Sequence, residues 1–343
     1  MITLVVGGQY GGEGKGKIAA FLAKSILHTA AVCRTGGVNS KHTAVENGKT
    51  YDLRQLPTSC TAGFTGQIIY GAGSLVHIPT LFEEMKLLEV TPDKILIDYQ
   101  TGVVSDAEVT SQRADSRYTE IGSTLTGTGH ATAQRALRKL RLARDYSELQ
   151  PMLGNVPERL QDLLKQGKHI LVEGHQGAGL SNYHGDYPYT SNRDATAAAL
   201  LSELGLGVRY PLRIVLVIKA FPTRNHNGRL PNEMSVEESD KLGIQEYGGG
   251  SWGIDNKRRR VGRLAIEDVR RAVVLNTPTE LAVTGIDYFE PKDAVTTSYE
   301  QLSSKSREFI ETLEKEVQVP VSIISTGPQT DATIYRSGFQ SEH

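Results

Sequence analysis

The sequence has few cysteines, no long apolar run and no excess of either charge. Its two cysteines, Cys33 and Cys60, fit neither a disulfide framework nor the spacing of a metal site. No run of about 18 apolar residues occurs, and the apolar residues 2–6 lead straight into a glycine-rich segment, unlike a signal peptide. With 38 basic and 39 acidic side chains, no overall field attracts nucleic acid or an anionic membrane. We therefore expect a cytoplasmic protein with neither partner.

Short β-type apolar segments alternate with helical patterns along the 343 residues. The β segments cover residues 2–6, 67–70, 94–97, 169–172, 214–218, 281–283 and 321–324, and the helical patterns cover residues 18–27, 79–88, 131–144, 156–166, 266–277 and 301–317. Continuous Val, Ile and Leu runs are typical of parallel strands that are covered on both faces. The pattern predicts one α/β domain over residues 1–343: an open, mostly parallel sheet with helices on both faces and long active-site loops. Residues 225–262 are the candidate mobile loop, and residues 336–343 are expected to fray.

A glycine-rich loop follows the first predicted strand and reads Gly-Gly-Gln-Tyr-Gly-Gly-Glu-Gly-Lys-Gly-Lys over residues 7–17. Glycines let backbone amides approach an anion, and a helix N-terminus and Lys15 add positive charge. The loop is not a Walker A motif, because Gln9 replaces its first glycine and Gly16 replaces its Ser or Thr. It also lacks the dinucleotide fingerprint. The sequence predicts a phosphate loop of another type, with a glycine turn bearing solvated lysines as the alternative.

Polar, glycine-rich segments follow five of the predicted strands. They are residues 7–17, 173–177 with 184–189, 219 with 223–224, 284–287 and 325–328. Ligands of open α/β sheets bind outside the carboxyl ends of the strands, so these segments predict one large nucleotide cleft. Residues 36–43 add His42, for which a structural role is the alternative. The hydroxyl-rich residues 121–129 lead into a predicted helix with four arginines, for most of which a solvated face is the alternative.

Together, these motifs resemble the adenylosuccinate synthetase family. The matching segments keep the same order and spacing over nearly the whole chain: residues 7–18, 36–43, 121–124, 173–177, 184–189, 219–224, 259–262 and 325–328. The resemblance implies an NTP-dependent carbon–nitrogen ligase with Mg²⁺ as cofactor. Such an enzyme phosphorylates the 6-oxo group of a purine nucleotide and then displaces the phosphate with the amino group of L-aspartate.

The resemblance also implies roles for individual residues. Lys15 would neutralise the γ-phosphate, His42 would act as an acid or hydrogen-bond donor, and Gln176 would bond the purine oxygen. The expected substrate-binding residues are Gly12, Asn39, Ser123, Thr124, Arg138, Thr190, Arg259 and Arg260. The expected triphosphate-binding residues are Gly11, Glu13, Gly14, Lys15, Gly16, Lys17, Asp287, Ser325 and Gly327. Mg²⁺ is expected near the backbone of Lys41 and the triphosphate. Arg138 matches an arginine that crosses a dimer interface in the family, which implies a homodimer.

The main departure from the family is Gly12, where the family has an aspartate that takes the proton from purine N1 and helps to hold Mg²⁺. One interpretation is an inactive or drifted synthetase. The other is a changed substrate, because glycine opens room beside purine C2 for the 2-amino group of dGMP. Phage-type relatives use dGMP and aspartate to make 2-aminodeoxyadenylosuccinate, a precursor of 2-aminoadenine, which would place the enzyme in the host cytoplasm. Glu13 and Mg²⁺-bound water both remain candidates for the N1 base.

Two further departures concern the donor and aspartate sites. Thr284-Gly285-Ile286-Asp287 replaces the family's guanine-binding Thr-Lys-Leu-Asp, which favours ATP or dATP over GTP as the donor. Residues 250–253 and 257–260 replace the family's aspartate loop. Arg259 and Arg260 are expected to bind the aspartate carboxylates, with a basic surface turn as the alternative. Two other functions stay open: an ordinary adenylosuccinate synthetase that acts on IMP, and a catalytically silent nucleotide-binding regulator.

Overall fold

A ten-stranded sheet forms the centre of the computed structural model, which describes residues 1–25, 29–248 and 257–336. The strands are β1 (Ile2–Gly7), β2 (Thr29–Arg34), β3 (His42–Glu46), β4 (Lys49–Leu53), β5 (Gln67–Tyr70), β6 (Leu75–Val76), β7 (Ile95–Asp98), β8 (Gly102–Val103), β9 (Leu153–Gly154), β10 (His169–Glu173), β11 (Leu212–Lys219), β12 (Thr223–Arg224), β13 (Tyr247–Gly248), β14 (Lys257–Arg258), β15 (Arg260–Val261), β16 (Glu280–Thr284), β17 (Val321–Ser325) and β18 (Thr333–Tyr335). The central sheet has the order β18-β17-β16-β11-β1-β10-β2-β5-β7-β9. Its neighbouring strands are parallel except for β17 and β18.

Helices pack on both faces of this sheet. They are α1 (Lys15–Ser25), α2 (Ile78–Leu87), α3 (Asp106–Ala114), α4 (Ser116–Glu120), α5 (Thr128–Ala136), α6 (Val156–Lys165), α7 (Ala197–Glu203), α8 (Val236–Lys241), α9 (Ile266–Asn276) and α10 (Ser304–Val317). Side chains alternate between the faces of a strand, so Leu4 belongs to the core cluster that contains residues of α6, α7, α9 and α10, whereas Val5 belongs to the cluster with Ile18 and Leu22 of α1. The predicted α/β fold class is confirmed. A single domain over the chain stays a prediction.

The sequence missed strand β2, which lies between β10 and β5 in the middle of the sheet. Ala31, Val32 and Cys33 of this strand are fully buried. Two neighbouring alanines and a cysteine carry little of the β-branched signal by which strands are recognised, although buried cysteine packs as a small apolar side chain. All the strands that the sequence predicted are present, with boundaries that differ from the predicted ones by no more than two residues at either end.

The predicted helix over residues 131–144 is wrong at its C-terminal end, because α5 stops at Ala136. The amide of Arg138 bonds the carbonyl of Arg135 at 2.9 Å, and the amide of Lys139 bonds that of Gln134 at 2.9 Å. Arg138 has φ +62°, the left-handed conformation that closes a helix in this Schellman arrangement. Arg138 therefore lies in a turn after the helix and not on its surface.

The carboxyl ends of β1, β10, β11, β16 and β17 lie at one edge of the sheet, and the predicted functional segments follow these ends. Of the predicted mobile stretch, residues 225–248 and 257–262 contain α8, the strand pair β13–β14, and β15, which pairs with β12. Residues 249–256 of that stretch, which include the predicted aspartate-loop residues 250–253, lie outside the described residues. The same holds for residues 26–27 of the first predicted helix and for residues 337–343, which were expected to fray. In the described part of the chain, no helix has the length and apolar character needed to cross a bilayer.

Candidate active site

The loop between β1 and α1 is held in shape by one of its own carboxylates. Oε1 of Glu13 accepts hydrogen bonds from the amides of Gln9, at 2.9 Å, and Gly11, at 2.8 Å. Gly11 and Gly14 both have φ +90°, which glycine adopts without strain. Because Glu13 is 1% exposed and its carboxylate faces the loop, it is not placed to take a proton from a purine. The structure thus removes Glu13 as a candidate for the N1 base.

Lys15 places a positive charge directly behind this loop. It begins α1 and is 2% exposed. Its Nζ atom donates to Oε2 of Glu13 at 2.7 Å and to the carbonyl oxygen of Gly11 at 3.4 Å. The ammonium and the N-terminal end of α1 therefore act at the same place, which is the arrangement that phosphate binding requires.

Lys17 holds a turn near the C-terminus of the described chain. Its buried Nζ atom donates to Oγ of Ser325 (2.6 Å) and to the carbonyl oxygens of Gly327 (2.6 Å) and Ala332 (2.7 Å). Burial lowers the pKa of Lys17 to about 7, although Asp287 lies close enough to oppose this shift. Because its Nζ atom already donates to three acceptors, Lys17 stabilises the wall of the predicted nucleotide cleft and is less available to bind a phosphate.

A cleft of about 1220 Å³, here called the loop cleft, lies beside the phosphate loop. It is lined by all the residues predicted to bind the triphosphate: Gly11, Glu13, Gly14, Lys15, Gly16, Lys17, Asp287, Ser325 and Gly327. It also includes Lys219, which the sequence placed in the nucleotide cleft without a role of its own, and Glu246 and Tyr288, for which the sequence predicted no role. Lys219 directly follows the buried core of β11, so its position at a strand end was a usable signal. Glu246 lies in a polar stretch that offers no such signal.

A second cleft, about 700 Å³ and here called the junction cleft, adjoins the first. Six residues predicted to be catalytic or to bind the substrate line it: Gly12, Asn39, His42, Thr124, Gln176 and Arg259. Gly11, Gly12, Lys41, His42 and Arg259 line both clefts. Two ligands in these clefts would therefore meet beside the glycine loop and His42.

A third cleft of about 1430 Å³, the outer cleft, continues from the junction cleft and shares Asn39 and Thr124 with it. Ser123 and Thr190, both predicted to bind the substrate, line the outer cleft. His226 lines both clefts and was not predicted. Burial lowers its pKa to about 4, so its ring is neutral at neutral pH.

His42, the first residue of β3, is held by Glu173, the last residue of β10. Its Nδ1 atom lies 2.5 Å from Oε1 of Glu173, and Oε2 of Glu173 accepts from both the amide and the hydroxyl of Thr58 at 2.9 Å. Burial, together with Arg34 and Lys15, holds the pKa of His42 well below its ordinary value. Burial also raises the pKa of Glu173, against the effect of Arg34 and Thr58. The short contact between Nδ1 and Oε1 fixes the orientation of the ring.

Gln176 has a backbone conformation that is rare for a residue with a side chain. Its φ is +49°, which costs a non-glycine residue on the order of 1 kcal/mol. Its Nε2 atom donates to Oγ of Ser40 at 2.8 Å, and the side chain lies beside Gly11. The strained turn after β10 thus directs a fixed amide into the junction cleft.

The space beside Gly12 is filled from the opposite side of the cleft. A Cβ atom at this position would overlap the hydroxyl of Thr223 and lie 3.0 Å from Nη1 of Arg259. The expectation that glycine leaves an open space here is therefore wrong for this arrangement of side chains. Glycine instead allows Thr223 and Arg259 to approach the loop backbone.

Glu246 joins the groups that surround Gly12 into one network. Its carboxylate accepts from Nζ of Lys219, and its Oε2 atom lies 3.4 Å from both Oγ1 of Thr223 and Nη1 of Arg259. The amide of Arg259 also donates to the backbone carbonyl of Glu246 at 2.8 Å. Burial acts to raise the pKa of Glu246, but Lys219 and Arg259 outweigh it, and the pKa lies below its ordinary value. Glu246 is thus ionised at neutral pH.

Two predicted substrate-binding arginines line none of the three clefts. Arg260 pairs with Glu233, with Nε 2.7 Å from Oε1, and donates to the carbonyl oxygen of Gly228 at 2.8 Å. These contacts stabilise the loop that contains Arg260. The side chain does not reach the clefts in which the substrate aspartate is expected to bind. Arg138 is exposed in the turn after α5.

The clefts offer no metal cage made of protein alone, since the described residues contain no group of three His, Cys, Asp or Glu side chains that could hold an ion. Mg²⁺ is usually bound by one or two carboxylates together with substrate phosphates and water. Lys41, whose backbone was predicted to lie near the ion, lines both the loop cleft and the junction cleft.

A doubly wound sheet with a phosphate-type loop and two confluent clefts at its strand ends defines a nucleotide-dependent enzyme that brings two ligands together. A family model described as Adenylosuccinate synthetase matches residues 4–145 and 139–297. The adenylosuccinate synthetase of Methanococcus aeolicus is 38% identical over 340 residues, covering 97% of this chain and 98% of that protein. That of Pyrococcus horikoshii is 39% identical over 342 residues, with 97% and 98% covered. The chain belongs to the adenylosuccinate synthetase family, whose members are carbon–nitrogen ligases.

Two solved structures share the fold. Fully ligated adenylosuccinate synthetase from Plasmodium falciparum superposes with a TM-score of 0.87 at 19% identity, covering 98% of this chain and 99% of that chain. Succinoaminodeoxyadenylate synthetase (PurZ) of cyanophage S-2L, bound to dGMP and to dATP as an energy donor, has a TM-score of 0.81 at 25% identity. That comparison covers 97% of this chain and 95% of the cyanophage chain.

Proposed function

We propose that this protein joins L-aspartate to C6 of dGMP through a 6-phosphoryl intermediate, in a reaction driven by an NTP. The product would be 2-aminodeoxyadenylosuccinate, a precursor of 2-aminoadenine nucleotides. The observation that carries the proposal is Gly12, which replaces the family's aspartate at the point where the loop cleft meets the junction cleft. The hydroxyl of Thr223 stands where that side chain would begin. A hydroxyl is smaller than a carboxylate and can accept a hydrogen bond from a 2-amino group.

Similarity to the cyanophage enzyme supports the same substrate and donor. That protein was solved with dGMP and dATP, and it matches this chain at 25% identity over nearly its whole length. We accordingly propose ATP or dATP as the donor, with GTP as the less favoured choice. Gly285 stands where the family has the lysine beside guanine, and the half-buried ring of Tyr288 lines the same cleft. Asp287 can accept a hydrogen bond from the 6-amino group of adenine.

An ordinary adenylosuccinate synthetase that acts on IMP is the second candidate. The observation in its favour is that the relatives at 38–39% identity carry that name, whereas the cyanophage enzyme is 25% identical. The two candidates differ in the substituent at purine C2, which is an amino group in dGMP and hydrogen in IMP. Both require the same phosphorylation at O6 and the same attack by aspartate.

We assign the steps that both candidates share to particular side chains. Lys15 and the loop amides would stabilise charge on the γ-phosphate, and the fixed amide of Gln176 would hold the purine 6-oxo group. His42, at the junction, would donate a hydrogen bond to the transferring phosphoryl group, with Glu173 stabilising positive charge on its ring. Mg²⁺, when bound, supplies further charge neutralisation at the phosphates. Arg259 would bind a carboxylate of aspartate.

Arg138 is proposed to act from a partner subunit in a homodimer. It is exposed and lines none of the three clefts of its own chain. Its left-handed backbone, φ +62°, is a strained conformation for arginine of the kind that persists where a side chain must be presented in one direction. Across a two-fold axis, this side chain would reach the 5′-phosphate of the nucleotide bound to the other subunit.

The deciding experiment is turnover with Mg²⁺, L-aspartate and either dGMP or IMP, with ATP, dATP or GTP as donor. We expect the succinylated product from dGMP, detected by mass spectrometry, and faster turnover with ATP or dATP than with GTP. Turnover of IMP with none of dGMP would make the protein an ordinary synthetase. Tight binding of both nucleotides without product under any condition would identify a silent regulator.

A further inference from the structure

The phosphorylation step needs an acceptor for the proton on purine N1, and position 12 supplies none. Of the two candidates left by the sequence, Glu13 is excluded because its carboxylate bonds the amides of the loop and Lys15. The groups that occupy the place of the missing side chain are the Thr223 hydroxyl and the Arg259 guanidinium. Both lie 3.4 Å from the same atom, Oε2 of Glu246. A carboxylate is therefore present one side chain away from the position where the family has its base.

We propose that Thr223 and Glu246 form a proton relay that replaces the aspartate absent at position 12. The relay rests on the proposed function, since it supplies the base for the phosphorylation of the purine. Thr223 is the group that touches the substrate, because it lines the junction cleft. Glu246 lines the loop cleft and receives the proton through the threonine hydroxyl.

The backbone on both sides of the relay is well fixed. Thr223 lies in β12, which pairs with β15 through Thr223 and Val261, and the amide of Gly262 bonds the carbonyl of Pro222 at 2.9 Å. The carbonyl of Glu246 accepts from the amide of Arg259. A hydroxyl-to-carboxylate distance of 3.4 Å is long, and catalytic hydrogen bonds commonly shorten when the substrate binds.

The charged groups around Glu246 keep its side chain in the ionised form, which is the form that can accept a proton. Lys219 and Arg259 are the cations that contact its carboxylate, and Asp287 and Tyr288 are titratable groups of the same cleft that interact with it. The two cations keep Glu246 ionised at neutral pH, so it is ready to act as an acceptor. Lys219 and Arg259 remain beside the carboxyl group after it takes up the proton. Their positive charge favours release of that proton to solvent through the open loop cleft.

The chemistry of the relay balances. The N1–H bond of the purine breaks and its proton passes to Oγ1 of Thr223, while the hydroxyl proton of Thr223 passes to Oε2 of Glu246. The electrons of the N1–H bond move into the ring, and the C6 carbonyl becomes an enolate oxygen. That oxygen attacks the γ-phosphorus of the NTP, whose bond to the bridging oxygen breaks, and the NDP leaves.

The test compares Thr223→Val, Thr223→Ser and Glu246→Gln, using the nucleotide, dGMP or IMP, that the wild-type protein consumes. Both purines carry a proton on N1, so a failure of dGMP as substrate still leaves the relay testable with IMP. NDP release is followed in a single turnover, which isolates the phosphorylation step. Asp240→Asn is the matched control, because Asp240 is an exposed carboxylate that pairs with Arg258 and lines none of the three clefts.

We expect Thr223→Val and Glu246→Gln each to slow NDP release by about 10²-fold or more, the usual value of a general base. Their effects should not multiply in the double variant, and Thr223→Ser should restore most of the rate. The rate of Glu246→Gln should rise with pH, since hydroxide then takes the N1 proton. A Glu246→Gln variant with an altered KM for aspartate but an unchanged rate and pH profile would overturn the relay. Absence of turnover with either nucleotide would overturn both the relay and the proposed function.

Discussion

Nδ1 of His42 lies 2.5 Å from Oε1 of Glu173, although the two residues are 131 positions apart in the chain. Glu173 ends the strand that pairs with β1, and His42 begins a hairpin strand beside α1. The contact therefore links the central sheet to the edge of the junction cleft. It occupies Nδ1 of His42, and the other ring nitrogen, Nε2, lies 3.3 Å from Nη1 of Arg34.

Replacing Glu173 with glutamine should lower kcat by about 10²-fold while leaving the KM for the purine nucleotide nearly unchanged. The amide still fills the site and can bond Nδ1, but it cannot stabilise an imidazolium in the transition state. Steady-state kinetics provide the measurement, and a melting curve by circular dichroism checks the fold. An unaltered kcat in a folded variant would show that His42 does not carry charge during the reaction.

Gly12→Asp should lower kcat/KM for dGMP relative to IMP by about tenfold or more, the size of effect that a misfit in a pocket produces. The new side chain must displace the Thr223 hydroxyl and the Arg259 guanidinium, and it would crowd a 2-amino group. Gly207→Ala is the control, because this exposed glycine has nothing within 4 Å of the added methyl group. An equal loss with both nucleotides would count against a role for position 12 in substrate choice.

The contribution of Lys17 to stability should increase with pH. In the folded protein its pKa is about 7, whereas its ordinary value is 10.5, so the unfolded state binds more protons between these values. Stability therefore rises with pH across that window, by at most about 1.4 kcal/mol per pH unit. The difference in unfolding free energy between wild type and Lys17→Met, measured in urea from pH 7 upward, should grow. A difference that stays constant with pH would mean that Lys17 remains charged when buried.

Arg138→Ala and His42→Ala should each be inactive alone but regain activity when mixed, if Arg138 serves the site of a partner subunit. In a mixed dimer, one site would then have both its own His42 and the Arg138 of the other chain. Arg144→Ala, a nearby exposed arginine, should change little. Sedimentation establishes the dimer itself, and failure of the mixture to recover activity would place Arg138 in its own subunit's chemistry.

Asp287→Ala should raise the KM for the NTP donor about fivefold to tenfold, the value of one hydrogen bond, without changing the KM for dGMP. Asp287→Asn should cost less with ATP than with GTP. An asparagine oxygen can replace one acceptor for the adenine 6-amino group, whereas guanine offers two donors to the carboxylate. Larger damage with ATP than with GTP in the asparagine variant would contradict the donor assignment.

Sequence reasoning could group the residues predicted to bind the triphosphate because they are local features. Gly11, Gly14 and Lys15 stand together between a strand and a helix, and Asp287 and Ser325 are at or just beyond the ends of strands. The order of the sheet and the pairing of these ends at one edge then bring them into one cleft. The same reasoning gave the fold class, since buried parallel strands have a strong apolar signal.

The residues that were missed act through tertiary contacts that leave little trace in the sequence. Glu246 lies in a polar stretch, and only folding brings it to Thr223 and Arg259. The misplaced end of α5 has a similar cause, because Arg138 adopts a conformation that usually signals glycine. The expectation of open space beside Gly12 was wrong for the same reason, because Thr223, which fills that space, lies 211 residues away in the sequence.

The central position of β1 has a consequence for the order in which the molecule can assemble. Ile2 pairs on one side with Ile170 and on the other with Leu212. During synthesis the first strand leaves the ribosome with neither neighbour available, and it stays unpaired on one side until β11 has been made. Such distant pairing slows folding and leaves an apolar strand exposed to association in the meantime. The nascent chain is therefore expected to depend on chaperones more than its balanced composition suggests.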